Sequence, residues 1–201
     1  MTTTTRTTEL EAVNTILSTI GEAPLNTLSG SLPVDGTVAI NILSEITREV
    51  QSAGWHFNTH YKVTLSRDTS NKIPLATNIL RVELDNNKYS RVQYDIVQRD
   101  NYLYNLAKNT DIFDTNFEDV VIVYLLPFNE IPEQAKRYIT IRSARVFHDR
   151  TLGANALHKF STEDEARALI VLKQAEATTG DYSIFDTPDQ AYTITRNNRV
   201  Y

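Results

Sequence analysis

The spacing of apolar residues changes twice along this chain, and that change constrains the fold more than any other feature. Up to residue 53 apolar positions follow a helical period. Over 61–126 they fall into short β-rich runs, and beyond Pro132 the helical period returns. The expected class is therefore α+β: two N-terminal and two C-terminal helices form a four-helix bundle, a small β-rich domain is inserted between them, and an extended tail follows. The corresponding boundaries are a flexible arm at 1–8, bundle segments at 9–60 and 128–180, an insert at 61–127 and an extension at 181–201.

The helix boundaries carry their own punctuation. Thr8 and Glu11 match a capping box, with Leu10, Val13, Leu17 and Ile20 on one face behind it and Gly21 as the stop. A second helix is expected over 37–53, capped by Asp35 or Thr37, with Val38, Ile42, Ile46, Val50 and Ala53 as its apolar stripe. The third starts with Pro132 in its first turn and runs Ala135, Ile139, Arg142 and Val146 along one stripe. The fourth opens on a capping box of Thr162 and Glu165. Its centre, "ALIVL", is apolar almost all round, which places it at the middle of the bundle. In the β-rich part, "LDNNKYS" reads as a hairpin turn and "DVVIVYLLPF" as a strand covered on both faces.

Composition excludes several chemistries. The chain has no cysteine, so disulfides and thiolate sites are absent. No run of eighteen apolar residues exists, and "MTTTTRTTELE" lacks the apolar core of a signal peptide, so neither a membrane span nor export is expected. A net charge of −5 argues against a general DNA-binding surface. The basic run "KRYITIRSARVFHDR" is spread around a helix by its spacing, which suggests a solvated or subunit-facing surface. No phosphate-cradling glycine motif occurs, and no cofactor is expected.

The stretch "QSAGWHFNTHYKVTL" holds the only tryptophan and two of four histidines. On one helical face His56 and His60 would share a metal. Gly54 ends the helix before them, and in a strand they stand ~13 Å apart, too far for one ion. Gly54, Trp55 and Phe57 read instead as the junction between bundle and insert, with the rings pinning the crossing. His148 and His158, with Asp149, lack a nearby nucleophile in any recognisable setting. The acidic stretch "DIFDTNFED" brings Asp111, Asp114, Glu118 and Asp119, without the spacing of a calcium loop. A solvated loop is the first reading; a cell-wall or polysaccharide hydrolase with paired carboxylates is the alternative.

Residues 181–201 have no helical period but carry Tyr182, Ile184, Phe185, Tyr192 and Tyr201 among polar residues, with Arg196 and Arg199. Apolar anchors at that density in a tail point to a subunit or partner contact.

Three segments, "LEAVNTILSTIGEAPLNTLSG", "NILSEITREVQSAGWHFN" and "EIPEQAKRYITIRSARVFHDRTLG", resemble the tail tubular protein A family of T7-like, short-tailed bacteriophages. The resemblance implies a structural virion protein and no catalysis. It implies a homo-oligomeric ring of twelve in the virion tail, assembled in the bacterial cytoplasm from chains that can be monomers in solution. Such a ring joins the portal protein to the tail nozzle protein, helps seat tail fibres and lengthens the channel for passing viral DNA without sequence-specific binding. The bundle builds the ring, and the extension reaches the portal through Tyr182, Ile184, Phe185, Tyr192, Arg196, Arg199 and Tyr201. Twelve chains of net charge −5 would make an acidic ring, whose wall would repel DNA and let it slide.

Overall fold

Helix α1 (Glu9–Leu17) begins at the expected box: the Thr8 hydroxyl accepts from Glu11 N–H at 3.2 Å, and the Glu11 carboxylate accepts from Thr8 N–H at 2.7 Å. It ends where Gly21 adopts φ +81° and Glu22 N–H reaches back to the Leu17 carbonyl. The computed structural model describes residues 5–153, 160 and 162–180. The order continues with α2 (Val34–Ser52), β1 (Thr59–Leu65), β2 (Ile79–Glu83), β3 (Ile96–Arg99), β4 (Tyr102–Asn105), β5 (Phe117–Tyr124), α3 (Glu133–Leu152) and α4 (Thr162–Gly180). Short 3₁₀ turns at His56–Asn58 and Phe128–Glu130 flank the β region. The α+β class stands.

The details correct the expectation at several points. Helix α2 starts at Val34 with Pro33 in the cap position; neither Asp35 nor Thr37 caps it, and the Thr37 hydroxyl instead donates to the Pro33 carbonyl. Its stripe is rotated: Ile42, Ile46 and Val50 are buried as expected, but Ala39, Leu43 and Thr47 join them while Val38 and Ala53 face solvent. Pro132 is the cap residue of α3. Helix α4 already includes Thr162, so its cap position falls on Ser161, outside the described residues.

The centre of the helical region is α3, not α4. Helix α3 packs against α1, α2 and α4 and buries Ala135, Ile139, Ala144 and Phe147 on several sides. Helix α4 buries only Ala168 and Leu172, and Ile170 and Val171 are about half exposed. Three basic residues of α3, Lys136, Arg142 and Arg145, hid this from a reading of its stripe, because they find partners within the fold. Lys136 is 1% exposed and donates to the Thr7 carbonyl at 2.9 Å. Thr7 in turn donates to the Glu133 carboxylate through its N–H and its hydroxyl, which holds residues 7 and 8 against the start of α3.

The β region has a separate core. Strand β5 lies between β1 and β2 in an antiparallel sheet, and β3 and β4 form a second, two-stranded ribbon. "LDNNKYS" is a turn, but no hairpin: β2 pairs with β5, and the hairpin of adjacent strands is β3–β4. Phe117 is fully buried and meets Tyr89, Tyr94 and Phe113 edge-on at centroid distances of 5.0, 5.2 and 5.4 Å. Ile122 belongs to this core, whereas its neighbour Val123, 1% exposed, faces Gly54, as alternation along a strand requires. The expectation that β5 is covered on both faces holds at this end.

Candidate functional site: the crossing between helices and sheet

The chain leaves the helices after Gly54 and returns to them after Tyr124. Both crossings are tied together by two carboxamides. Gln51, in the last turn of α2, donates from Nε2 to the Leu126 carbonyl at 2.9 Å and accepts from Leu126 N–H at 2.8 Å. A side-chain amide here does what a neighbouring strand would do. Asn58 donates to the carbonyls of Gln51 (3.0 Å) and Tyr124 (2.7 Å), and its oxygen accepts from Trp55 N–H at 2.8 Å. Both side chains have no exposed surface, and their satisfied network fixes one geometry for the crossing.

Gly54, Trp55 and Phe57 follow directly on the end of α2. Gly54 has φ +77°, a region that costs a residue with a Cβ about 1–3 kcal/mol. A methyl group on it would stand 3.2 Å from Val123 Cγ2 and 2.6 Å from the Arg81 guanidinium. Trp55 and Phe57 are half-buried against the helical core, and Trp55 Nε1–H donates to the Val50 carbonyl at 2.7 Å. The His56 N–H donates to Glu176 on α4 at 2.5 Å, so α4 also contacts the crossing.

Ion pairs bind α2, α3 and α4 beside it. Glu165 of α4 is 12% exposed at its side chain and accepts from Arg145 Nε at 2.5 Å and Arg142 Nη1 at 3.2 Å. Arg142 also meets Glu49 of α2 at 2.5 Å, and Arg150 binds Glu45 through both nitrogens at 2.8 and 2.9 Å. Arg142 and Arg145 are thus partly buried against carboxylates of neighbouring helices, which corrects the solvated reading of the basic run for these two, while Arg137 and Arg150 stay exposed.

The histidines are brought to no common centre. His56 lies in the 3₁₀ turn, and His60 meets the Tyr124 ring edge-on at 4.8 Å. Among the described residues no group of three or more His, Cys, Asp or Glu is placed to hold a metal ion. His148 is buried on α3, Asp149 pairs with Arg145 at 3.5 Å, and His158 lies outside the described residues. Each carboxylate of the acidic stretch has a partner: Asp111 with Lys72, Asp114 with Tyr94 and Lys108, Glu118 and Asp119 with Lys88. The Lys72 hydrogen bond holds the Asp111 carboxyl below its usual value, and the Tyr94 hydroxyl does the same for Asp114. A glycosidase acid needs the opposite shift, which neither Asp111 nor Asp114 has.

Gln51 and Asn58 escaped the sequence reading, although both stand in the stretch it singled out. Their signal was a polar residue beside the stripe residue Val50 and another just after two aromatic anchors. The portal-docking candidates Tyr182, Ile184, Phe185, Tyr192, Arg196, Arg199 and Tyr201 lie outside the described residues. No helix among the described residues is long and apolar enough to cross a membrane.

Two cores, one of helices and one of strands, joined through a polar clasp, make this an α+β protein. The family model for tail tubular proteins matches residues 10–182, and the chain belongs to that family. It is thus a structural component of a phage tail, which assembles with other phage proteins. No curated protein matches the chain.

Proposed function

We propose that the chain is the adaptor subunit joining the portal of a short-tailed phage to its tail nozzle, as a ring of twelve that lengthens the DNA channel. Membership of the tail tubular protein family over residues 10–182 is the observation that carries this reading. The ion-paired helices support it, because a ring under the pressure of a packed genome needs a stiff body. In this reading the four helices, at 9–60 and 128–180, act as one bundle and build the ring. The insert at 61–127 faces neighbouring subunits and the nozzle side, and the extension at 181–201 reaches toward the portal. Assembly takes place in the host cytoplasm, from monomers that close into a ring on the portal. The acidic balance of the chain gives a channel wall that repels DNA and lets it pass during ejection.

Co-sedimentation with purified portal rings tests the docking. The full chain is expected to pellet with the portal and a chain ending at Gly180 to stay in the supernatant. Equal pelleting of both would remove the docking role of the extension.

A further inference from the structure

A helical start leaves N–H groups without partners of their own, and the 3₁₀ turn His56–Asn58 at the crossing satisfies two of them from different places. Trp55 N–H donates to Asn58 Oδ1 at 2.8 Å, within the turn. His56 N–H donates at 2.5 Å to the carboxylate of Glu176, a residue 120 positions further along the chain. Helix α4 thus caps a turn from which the whole β region separates it in sequence. Through that turn it also reaches the clasp, because Asn58 holds the Gln51 and Tyr124 carbonyls at 3.0 and 2.7 Å.

Glu176 sits on the loosest part of its helix. The residues that α4 buries, Ala168 and Leu172, end before it, and from 173 to 180 every residue is exposed or half-buried. A second polar fastening, Glu165 on Arg142 and Arg145, lies eleven helical residues back, ~17 Å along the axis. The last two turns of α4 are therefore seated on the body by the Glu176 hydrogen bond rather than by buried side chains. Few apolar contacts oppose their opening.

We propose that Glu176 is a latch on the crossing and α4 the lever that works it. When α4 opens, the carboxylate leaves His56 N–H and the crossing loosens around Trp55 and Asn58. The extension at 181–201 begins just beyond the next turn of the same helix, so a partner that draws on it meets the latch before any buried contact. Coupling of this kind is reciprocal: a partner that must open the latch binds more tightly to a chain in which it is already broken. Only this link to a partner rests on the adaptor reading; the latch stands without it.

Hydrogen exchange at the His56 amide and acrylamide quenching of Trp55 fluorescence, both in the full-length chain, test the proposal. Glu176→Leu is expected to speed His56 exchange about tenfold and to raise Trp55 quenching. Glu165→Gln leaves every contact of the crossing in place, yet it is expected to produce both changes from ~17 Å away. In the double variant neither readout should exceed that of Glu176→Leu alone, because the latch is already open. Wild-type values at His56 and Trp55 in Glu165→Gln, whether or not α4 itself exchanges faster, would overturn the lever. Additive effects in the double variant would overturn it too, since the two sites would then act separately. With portal rings added, Glu176→Leu should pellet at a severalfold lower portal concentration than the wild type. Equal pelleting of the two would remove the link to a partner, whereas failure of both to pellet would count against the adaptor reading and not against the latch.

Discussion

Gln51 and Leu126 are 75 residues apart in sequence and exchange two hydrogen bonds, amide nitrogen to carbonyl at 2.9 Å and backbone N–H to amide oxygen at 2.8 Å. The pair closes the loop that carries the whole β region. Gln51→Leu keeps the size of the side chain but leaves both backbone groups of Leu126 without this partner. The expected loss is about 2–4 kcal/mol, since an orphaned polar group costs about 1–3 kcal/mol. Urea unfolding followed by circular dichroism measures it; a loss under 0.5 kcal/mol would mean that water replaces the amide without cost.

Trp55 is the only tryptophan, so its fluorescence reports on the crossing alone. Full burial would make Trp55→Ala cost about 3–5 kcal/mol. The ring is half-buried, so about 2–3 kcal/mol is expected, part of it from the lost bond to Val50. Gly54→Ala is expected to cost about 1–3 kcal/mol through its positive φ. If Gly54→Ala leaves the melting temperature unchanged, the backbone has relaxed out of the left-handed region.

Glu165 fastens α4 to α3 by holding two guanidinium groups at once. Glu165→Gln keeps the shape and removes the charge, leaving Arg145 without its closest carboxylate. Hydrogen exchange is expected to quicken at least tenfold in α4, about 1.4 kcal/mol of local opening, while α1 and α2 change little. Uniform acceleration throughout the helices would show that α4 does not open separately.

The pH dependence has a definite sign. Asp111 and Asp114 have folded pKa values below their unfolded ones, so their contribution is present above the usual carboxylate value of about 4 and is lost as pH falls through the folded values. Tyr94 is pushed up to about 12, first by burial and then by its hydrogen bond to Asp114. Its contribution is complete below 10, the ordinary tyrosine value, and is lost as pH rises through about 12. Asp114→Asn is expected to flatten the acid limb of the urea midpoint against pH and to lower the Tyr94 transition, seen in phenolate absorbance. An unaltered acid limb would mean that Asp114 is equally stabilised in the unfolded chain.

Period and punctuation made much of this fold legible. The capping box of Thr8 and Glu11, the stops at Gly21 and Gly54 and the cover over the second half of the strand at 117–124 all follow from local rules. What local rules missed was decided by distant partners. Helix α3 looked too charged to be central, but Lys136 meets the Thr7 carbonyl and Arg142 and Arg145 meet Glu165 only after folding. Helix α4 looked apolar enough to be central, yet its Ile170 and Val171 stay open. Likewise nothing near Gln51 in sequence points to Leu126. His56 stands in the 3₁₀ turn after Gly54 and His60 on β1, so no helical face carries both, and the strand expected to space them begins only at Thr59.

Electron microscopy of the purified chain mixed with its portal tests the adaptor reading most directly. The expected image is a twelve-fold ring seated beneath the portal, coaxial with its channel, with the insert pointing away from it. Portal particles that remain bare at saturating chain, or chain bound at the periphery without closing a ring, would contradict it.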